Sequence, residues 1–538
     1  MFWIIGFLGL IVVYILIKMI RYHNRTETNR REILKRGIDF QKHNNFLKSM
    51  WTRERIELTQ QRILKTLDKT IYGFDMFGTI HLVVAEPDLI QSILSKEFQN
   101  FPNRRKINLN DDFFSNALSI VEGDQWKRIR AVVTPTFATG KMRTMKPIID
   151  SVAEKLIQNI QNNLKPHCPL NMKNFVSAFT MDTIIQVSFG LKVDSLTDKD
   201  NPIIKMARKM FNVDLSVKNM LAIGLVFFGP RFLQPLLKHL RFNGEVIDFF
   251  RDLSNKIIEE KKLEISMRKD SKASNFIEFL LEAEKEYSNL TKSHPIESFE
   301  GKKNEKSVKY ITKNELISQS ILFLIAGFDT TATLINLACY YLALNPDKQD
   351  LAYEEIISKI KELDIADWKS RGNEILKEIP FEWYSNKFDY LNAITSETLR
   401  MTPPAPFLER RAENDCTLSY GNNEKIEFKK GDMVQIPVWF LHYSERHFSQ
   451  PELFLPERFL KENIDKIHKY AYLPFGSGPR VCVAKSLALM EAKIALVWLI
   501  KNFKFYKCAE TLVPLQFFHQ GGVLSPKSVN LLVEKRID

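Results

Sequence analysis

At 538 residues, with 45% hydrophobic and 26% charged side chains, the chain is long enough to bury a large core and too apolar to be disordered. Its formal net charge of +13 is dispersed among acids with no aromatic-interleaved basic stripe. This excludes nucleic acid as an expected partner and leaves anionic lipid or an acidic protein. The five cysteines (Cys168, Cys339, Cys416, Cys482, Cys508) are odd in number and scattered, which excludes a disulfide framework or a zinc site and fits a reducing compartment.

The chain opens on an almost wholly apolar run from Phe2 to Ile17, extended past Lys18 by Met19 and Ile20. As a helix it would measure about 28 Å, near the ~30 Å hydrocarbon core of a bilayer. No charge precedes it and no small-residue cleavage site follows, so an uncleaved anchor is favoured over a cleaved signal peptide. Lys18, Arg21, Arg25, Arg30, Arg31, Lys35 and Arg36, opposed by Glu27 and Glu32, put the following flank in the cytosol. The predicted organisation is an anchor over 1–20, a basic linker and first helix over 21–60, and a main domain over 61–538.

Within that domain, Phe77 to Val84 reads as a strand and Glu86-Pro87-Asp88 as a helix start. Trp126 and Arg130 lie one helical turn apart and share a face, where an indole N–H and a guanidinium suit a carboxylate. Lys127 and Arg128 point off that face, either as a docking surface for an acidic partner or as a solvated charged face. Met220 to Leu237 is apolar but interrupted by Gly224, Gly229, Pro230, Arg231 and Pro235, and does not read as a span. The middle of the chain is helical by periodicity, and the polar stretch from Glu284 to Ser307 reads as an exposed loop.

Asn314 to Leu344 reads as a long apolar helix carrying Ala326-Gly327-Phe328-Asp329-Thr330-Thr331 at its middle. An acid, two hydroxyls and a glycine there cost stability, which marks either a functional site or capping residues between two shorter helices. Tyr390 to Arg400 reads as a helix ended by Pro403 and Pro404, with Glu397 and Arg400 on one face as a surface ion pair or part of something larger. Strand patterns return at Lys425–Phe428, Met433–Pro437 and Ser528–Val533. Finally, Phe475-Gly-Ser-Gly-Pro-Arg480-Val-Cys482 places a cysteine after a Gly-rich turn and before an apolar helical run. At a helix N-terminus the dipole and unpaired N–H groups stabilise a thiolate, and Arg480 can grip a carboxylate bidentately. A thiolate beside such an arginine suits axial ligation of haem iron.

At Phe475, Gly478, Arg480 and Cys482 the chain resembles the cytochrome P-450 family, whose pattern is F-x-x-G-x-R-x-C-x-G; Ala484 replaces the final glycine. Residues 326–331 match the family's oxygen-activating helix, and segments such as Thr180–Gly190 and Val193–Leu196 resemble its animal microsomal branch of drug-metabolising, insect detoxification and thromboxane synthase enzymes. The resemblance implies a mainly α fold: one large helical haem domain with small peripheral β-sheets after a membrane anchor helix. It implies haem b held by Cys482 as metal ligand and by Arg480, Phe475, Trp126, Arg130, Arg410 and Arg104, with Arg105 equally placed for the last. Thr330 and Asp329 would deliver protons to oxygen, and Glu397, Arg400 and Arg458 would form a structural brace. Ser119, Leu322, Ile325, Ala326, Ala405 and Val523 would line a lipophilic substrate site. Met220–Leu237 would either dip into the bilayer surface or lie in the core. The implied activity is monooxygenation at the endoplasmic reticulum membrane, with the catalytic domain in the cytosol. Electrons would come from NADPH through cytochrome P-450 reductase, with cytochrome b5 as a second donor. The alternatives are a haem-thiolate isomerase acting on an endoperoxide, which needs neither dioxygen nor reductase, and a non-catalytic haem sensor or carrier.

Overall fold

The apolar N-terminal run does form a helix, but it does not stop at the basic flank: α1 spans Phe2–Lys35 without a break. The computed structural model describes residues 2–41, 55–76, 78–106, 111–195, 201–211, 244–267, 275–293, 310–518 and 523–536. Val13, Ile17 and Ile20 on α1 are exposed, as suits a lipid-facing stripe. Its polar end docks on the domain. Thr26 Oγ1 donates to Asp75 Oδ1 at 3.0 Å and Asn29 Nδ2 to Asp75 Oδ2 at 2.6 Å. Ile33 is wholly buried, and Gly73 makes room for it, since a Cβ there would stand 2.7 Å from Ile33 Cγ2.

That docking surface is a four-stranded sheet. In chain order the strands are β1 (Ile71–Met76), β2 (Thr79–Val84), β3 (Leu170–Asn171), β4 (Leu408–Arg411), β5 (Cys416–Tyr420), β6 (Glu424–Phe428), β7 (Met433–Ile436), β8 (Phe503–Tyr506) and β9 (Asn530–Lys535). The large sheet runs β1-β2-β7-β4, with β2 and β7 parallel and the other neighbours antiparallel. Smaller sheets are β3-β9-β8 and the hairpin β5-β6. The predicted strands over 77–84, 425–428, 433–437 and 528–533 overlap β2, β6, β7 and β9, Phe77 lying outside the described residues. β4, with the sequence Leu-Glu-Arg-Arg, carries no apolar alternation and was not readable as a strand.

The longer helices after α1 are α2 (Ile56–Leu67), α3 (Gly123–Val133), α4 (Thr139–Asn163), α5 (Met172–Phe189), α6 (Pro202–Phe211), α7 (Gly244–Met267), α8 (Phe276–Ser293), α9 (Lys313–Leu344), α10 (Pro346–Lys361), α11 (Asp389–Met401) and α12 (Lys485–Asn502). The fold is thus mainly helical with small peripheral sheets, as expected. α8 corrects one reading: residues 284–293 of the supposed loop are helical, because Phe276, Ile277 and Leu280 bury one face and carry the polar end with them. Residues 294–309, and the apolar stretch Met220–Leu237, lie outside the described residues.

α9 organises the core. A capping box starts it, with Glu315 N–H donating to Thr312 Oγ1 and Thr312 N–H returning to Glu315 Oε2. It is apolar on every side and long enough to cross a membrane, yet 78% of its most apolar window is buried, which makes it a core helix. It runs unbroken through Gly327, so Asp329–Thr331 do not cap separate helices. Gly327 is needed for close approach: a Cβ there would stand 2.8 Å from Ile184 Cδ1 on α5.

Replacing Asp75 by Ala removes both side-chain tethers of α1, at about 1 kcal/mol each. Limited trypsin digestion of the membrane-reconstituted chain should then cleave between Arg25 and Lys35 several-fold faster. Unchanged cleavage would mean that Ile33 and the Arg36–Asp432 pair just after the helix hold α1 without these tethers.

Candidate active site

The loop before α12 is shaped by its own backbone. Gly476 N–H donates to Leu473 O, Val481 N–H to Gly478 O and Cys482 N–H to Phe475 O, each at 3.0 Å. Gly478 sits at φ +72°, and a Cβ there would lie 1.8 Å from the Leu94 carbonyl oxygen, so no other residue fits. Ala484 sits at φ −96°, open to any L residue, and its replacement of the family glycine therefore carries no backbone strain. Phe475 is half-buried in this loop, with Lys485 Nζ 5.7 Å above its ring.

Cys482 lies three residues ahead of α12 and not on the helix itself. It is exposed to a solvent-sized probe, yet desolvation pushes its thiol above the ordinary value. Both hold when the sulfur faces an internal cavity. A hydrogen bond from Ala484 N–H and the cations Arg130, Arg104 and Lys485 work in the other direction but do not overcome burial. The helix-terminus effect expected from sequence is therefore the smaller one here; a metal cation at the sulfur would supply the missing stabilisation.

Around this cavity the fold gathers guanidinium groups. Arg410, from β4, is 1% exposed, and Arg480, from the cysteine loop, is 4% exposed. Arg480 Nε donates to Pro102 O at 2.7 Å and Nη2 to Val121 O at 2.9 Å, while its plane lies 4.4 Å over the Trp126 ring. Arg130 Nη2 donates to Val481 O at 2.9 Å, tying α3 to the cysteine loop. Arg104 donates to Ser119 O at 3.3 Å and Arg480 O at 3.5 Å. Arg105 instead pairs with Glu409 at 2.8 Å, which separates the two arginines left open by the sequence.

Among the described residues none of these four cations makes an ion pair; Glu409 near Arg104 and Glu122 near Arg480 act only at longer range. Desolvation holds all four below the ordinary arginine range, Arg410 farthest, with Arg480 near 9. Arg104 and Arg480 both repel Arg410, and Arg104 and Arg130 repel Arg480. Two buried nitrogens, Arg410 Nε and Arg480 Nη1, have no hydrogen-bond partner. Buried, mutually repelling donors require an anion, and a flat macrocycle with two carboxylates beside a thiol supplies it. The residues present thus fit haem.

Opposite stands one face of α9. Leu322 and Thr330 are half-buried and Ala326 exposed, at intervals of four, in a stretch from Glu315 to Tyr340 otherwise buried except at Gly327, so this face borders interior space. Ile325 beside them is buried. Thr330 Oγ1 donates to Ala326 O at 2.7 Å, and Asp329 Oδ1 accepts from Ser525 Oγ at 3.1 Å. Ser119, half-buried, belongs to a turn fixed on α9 by Leu118 N–H donating to Gln319 Oε1 at 2.8 Å. Half-buried Ala405 and Val523 come together through Leu524 N–H donating to Pro404 O at 2.8 Å.

The brace lies behind the loop. Glu397 and Arg400 on α11 are wholly buried and pair bidentately at 2.7 and 2.8 Å, with Arg458 Nε at 3.4 Å from Glu397 Oε1. This is no surface pair. Arg400 Nη1 donates to His442 O at 2.8 Å. His442, which carried no sequence signal, accepts Leu473 N–H on Nε2 at 3.0 Å, so its Nδ1–H must donate to Arg400 O at 2.9 Å. Leu473 begins the cysteine loop, and His442 is the link between brace and loop.

Arg128 departs from expectation. It is tied to Glu315 at 2.6 Å, donates to Tyr310 O and lies 4.2 Å over the Tyr310 ring, because the start of α9 comes up beside α3. Lys127 is exposed beside Asp124 at 3.0 Å.

A family model described as Cytochrome P450 matches residues 41–533. The chain is 33% identical over 501 residues to cytochrome P450 3A11 of Mus musculus, covering 91% of this chain and 88% of that one. It is 32% identical over 459 residues both to cytochrome P450 3A9 of Rattus norvegicus and to cytochrome P450 3A7 of Homo sapiens, covering 85% of this chain and 82% of each.

Two outcomes test the site's energetics. Arg410→Met removes a repelled buried cation, so the haem-free chain should gain on the order of 1 kcal/mol in denaturant unfolding. The loaded chain should lose haem faster to a haem-scavenging protein. His442 is held from 6.5 down to about 3, first by desolvation and then by the Arg400 cation. Because the folded value is depressed, the unfolded chain takes up the proton first as pH falls. The stability margin of wild type over His442→Gln should be constant above about pH 7 and shrink as pH falls below 6.5 toward 3, read by thermal unfolding at each pH.

Proposed function

Because the chain belongs to the cytochrome P450 family, we propose that this monooxygenase inserts one oxygen atom of dioxygen into a lipophilic small molecule, with electrons from NADPH delivered through a reductase flavoprotein. The enzyme is a cytochrome P450 monooxygenase with a haem-thiolate cofactor. One observation carries the site assignment: four guanidinium groups, none in an ion pair among the described residues, gather by Cys482, whose sulfur is exposed yet desolvated. The apolar face of α9, together with Ala405 and Val523, supports a xenobiotic, steroid or fatty-acid-like substrate. The exposed stripe of α1 and the basic residues that follow it support a bilayer anchor, with the domain on the cytosolic face of the endoplasmic reticulum.

In this reading Cys482 holds the iron, while Arg104, Arg130, Arg410, Arg480 and the Trp126 indole receive the two propionates. Bound haem supplies the chemistry of dioxygen activation and hydrogen abstraction. The protein orients the substrate against Leu322, Ile325 and Ala326 and limits water there. Thr330 Oγ1, resting on Ala326 O, carries a proton that can turn toward the cavity. Asp329 Oδ1 is the store from which that proton is replaced. The brace of Glu397, Arg400, Arg458 and His442 keeps the cysteine loop in register and touches no reactant. An endoperoxide isomerase would have no use for the Asp329–Thr330 pair.

The reduced, CO-bound form should show the thiolate red shift of the Soret band, and Cys482→Ser should abolish it. A screen of lipophilic ligands for type-I spectral changes would then identify substrates. With reductase present, Thr330→Ala should keep NADPH oxidation but lower product per NADPH at least about tenfold. Full turnover without NADPH would instead establish the isomerase.

A further inference from the structure

The acid of α9 does not end in an isolated carboxylate. The hairpin ahead of β9, closed by the Phe517–Pro526 bridge and by Phe518 N–H donating to Ser525 O at 3.0 Å, brings Ser525 against α9. There its hydroxyl donates to Asp329 Oδ1 at 3.1 Å, and both residues are 6% exposed. On the far side of the same hydroxyl stands Lys173, on the first turn of α5. Its ammonium donates to Ser525 Oγ at 3.0 Å and to Pro526 O at 2.6 Å, and lies 4.7 Å over the Phe518 ring. Lys173 is half-buried and its neighbour Asn174 exposed, so the chain of groups starts near solvent and ends at the buried acid.

The direction of the bonds is fixed by chemistry. An ammonium has protons to give and no lone pair, and a carboxylate only accepts. The single Ser525 proton therefore points at Asp329 while its lone pair takes the Lys173 proton. We propose that Lys173 and Ser525 extend the Asp329–Thr330 pair into a proton relay that enters along the first turn of α5. One proton passes from the Lys173 ammonium to Ser525 Oγ as the Ser525 hydroxyl proton passes to Asp329 Oδ1. The ammonium becomes an amine and the carboxylate a carboxylic acid. Asp329 then gives its proton toward Thr330, and Lys173 is reprotonated from solvent, so each cycle moves one proton inward with no net change in the protein. Ser525 and Lys173 are positioning and relay residues; they touch neither substrate nor haem.

This inference rests on the monooxygenase reading above, and its test separates the two. Full-length wild type, Ser525→Ala, Ser525→Thr, Lys173→Met, Lys173→Arg and the Ser525→Ala/Lys173→Met double variant are reconstituted with reductase in phospholipid vesicles. Product per NADPH, peroxide release and the solvent hydrogen-isotope effect on product formation are measured. Thermal unfolding, the reduced-CO spectrum and the infrared carboxyl band, assigned by difference against Asp329→Asn, are recorded independently of turnover. Ser525→Ala should lower product per NADPH on the order of tenfold, below the ~10²-fold of a directly acting group, and raise peroxide and the isotope effect. It should also shift the carboxyl band while the CO spectrum stays that of wild type. Ser525→Thr should restore coupling, whereas Lys173→Arg, whose guanidinium keeps the charge but gives up no proton, should stay as uncoupled as Lys173→Met, and the double variant should be no worse than Ser525→Ala, as expected of groups acting in series. Lys173→Met, altering a half-buried side chain, keeps the test valid if Ser525→Ala unfolds. Wild-type coupling and isotope effect in Ser525→Ala or Lys173→Met, or losses that multiply in the double variant, would overturn the relay and leave the monooxygenase reading intact. A wild type without NADPH-dependent product would overturn both.

Discussion

Burying a guanidinium without an ion-pair partner is among the costliest acts a fold performs, and this one buries Arg410 and Arg480 and sets half-buried Arg104 and Arg130 beside them. Arg410 and Arg480 are almost completely excluded from solvent, and each is repelled by Arg104. Glu409 favours the charged form of Arg104, and Glu122 that of Arg480, but neither contribution outweighs burial. The alternative, packing apolar groups of similar volume, would be more stable. The arrangement makes physical sense only as half of a complex whose other half brings negative charge. Much of the surrounding architecture serves to hold these donors still: β4 is paired to β7, Arg130 is tied to Val481, and Arg480 is wedged over Trp126.

Holding the cysteine is a separate task, met by charges paired with one another and by a neutral imidazole. The Glu397–Arg400 pair accepts or donates on every side: Leu455 N–H to Glu397, and Arg400 to the His442 and Leu453 carbonyls. His442 stays neutral because burial and the adjacent cation both oppose its charging, and only the neutral ring can accept Leu473 N–H while donating to Arg400 O. The brace therefore transmits position and no charge. The brace reaches the loop through His442 and Leu473, while Arg480 within the loop and the Arg130 bond to Val481 tie the guanidinium cluster to it directly.

Much of the site was legible in local sequence windows. The Gly-x-Arg-x-Cys turn, the Ala326–Thr331 break in an apolar helix and the Glu397/Arg400 spacing each violate a local rule within a few residues, and such violations can be read without the fold. What escaped was contact between distant segments. Ser525 reaches Asp329 across 196 residues and Lys173 reaches Ser525 across 352, and neither neighbourhood is unusual by itself. Arg128 was misjudged for the same reason: helical spacing gives its face, but not that Glu315 at the start of α9 arrives there. Arg104 and Arg105 differ only in side-chain direction, which sequence does not carry. α8 was misread because composition favoured a loop, while the apolar face that holds the helix lies in its first turns.

The hairpin ahead of β9 joins two properties that sequence treats as unrelated. Val523 lies beside Ala405, where the substrate is expected, and two residues later Ser525 bonds the acid of α9. The segment is pinned at Pro404 by Leu524 N–H and at α5 by Lys173, so it can shift only as a unit. In the proposed reading, a substrate against Val523 would press on the same segment that makes the 3.1 Å bond from Ser525 to Asp329. Under the proposed reading, substrate fit and proton supply would then meet in one short stretch of chain, Val523 to Ser525.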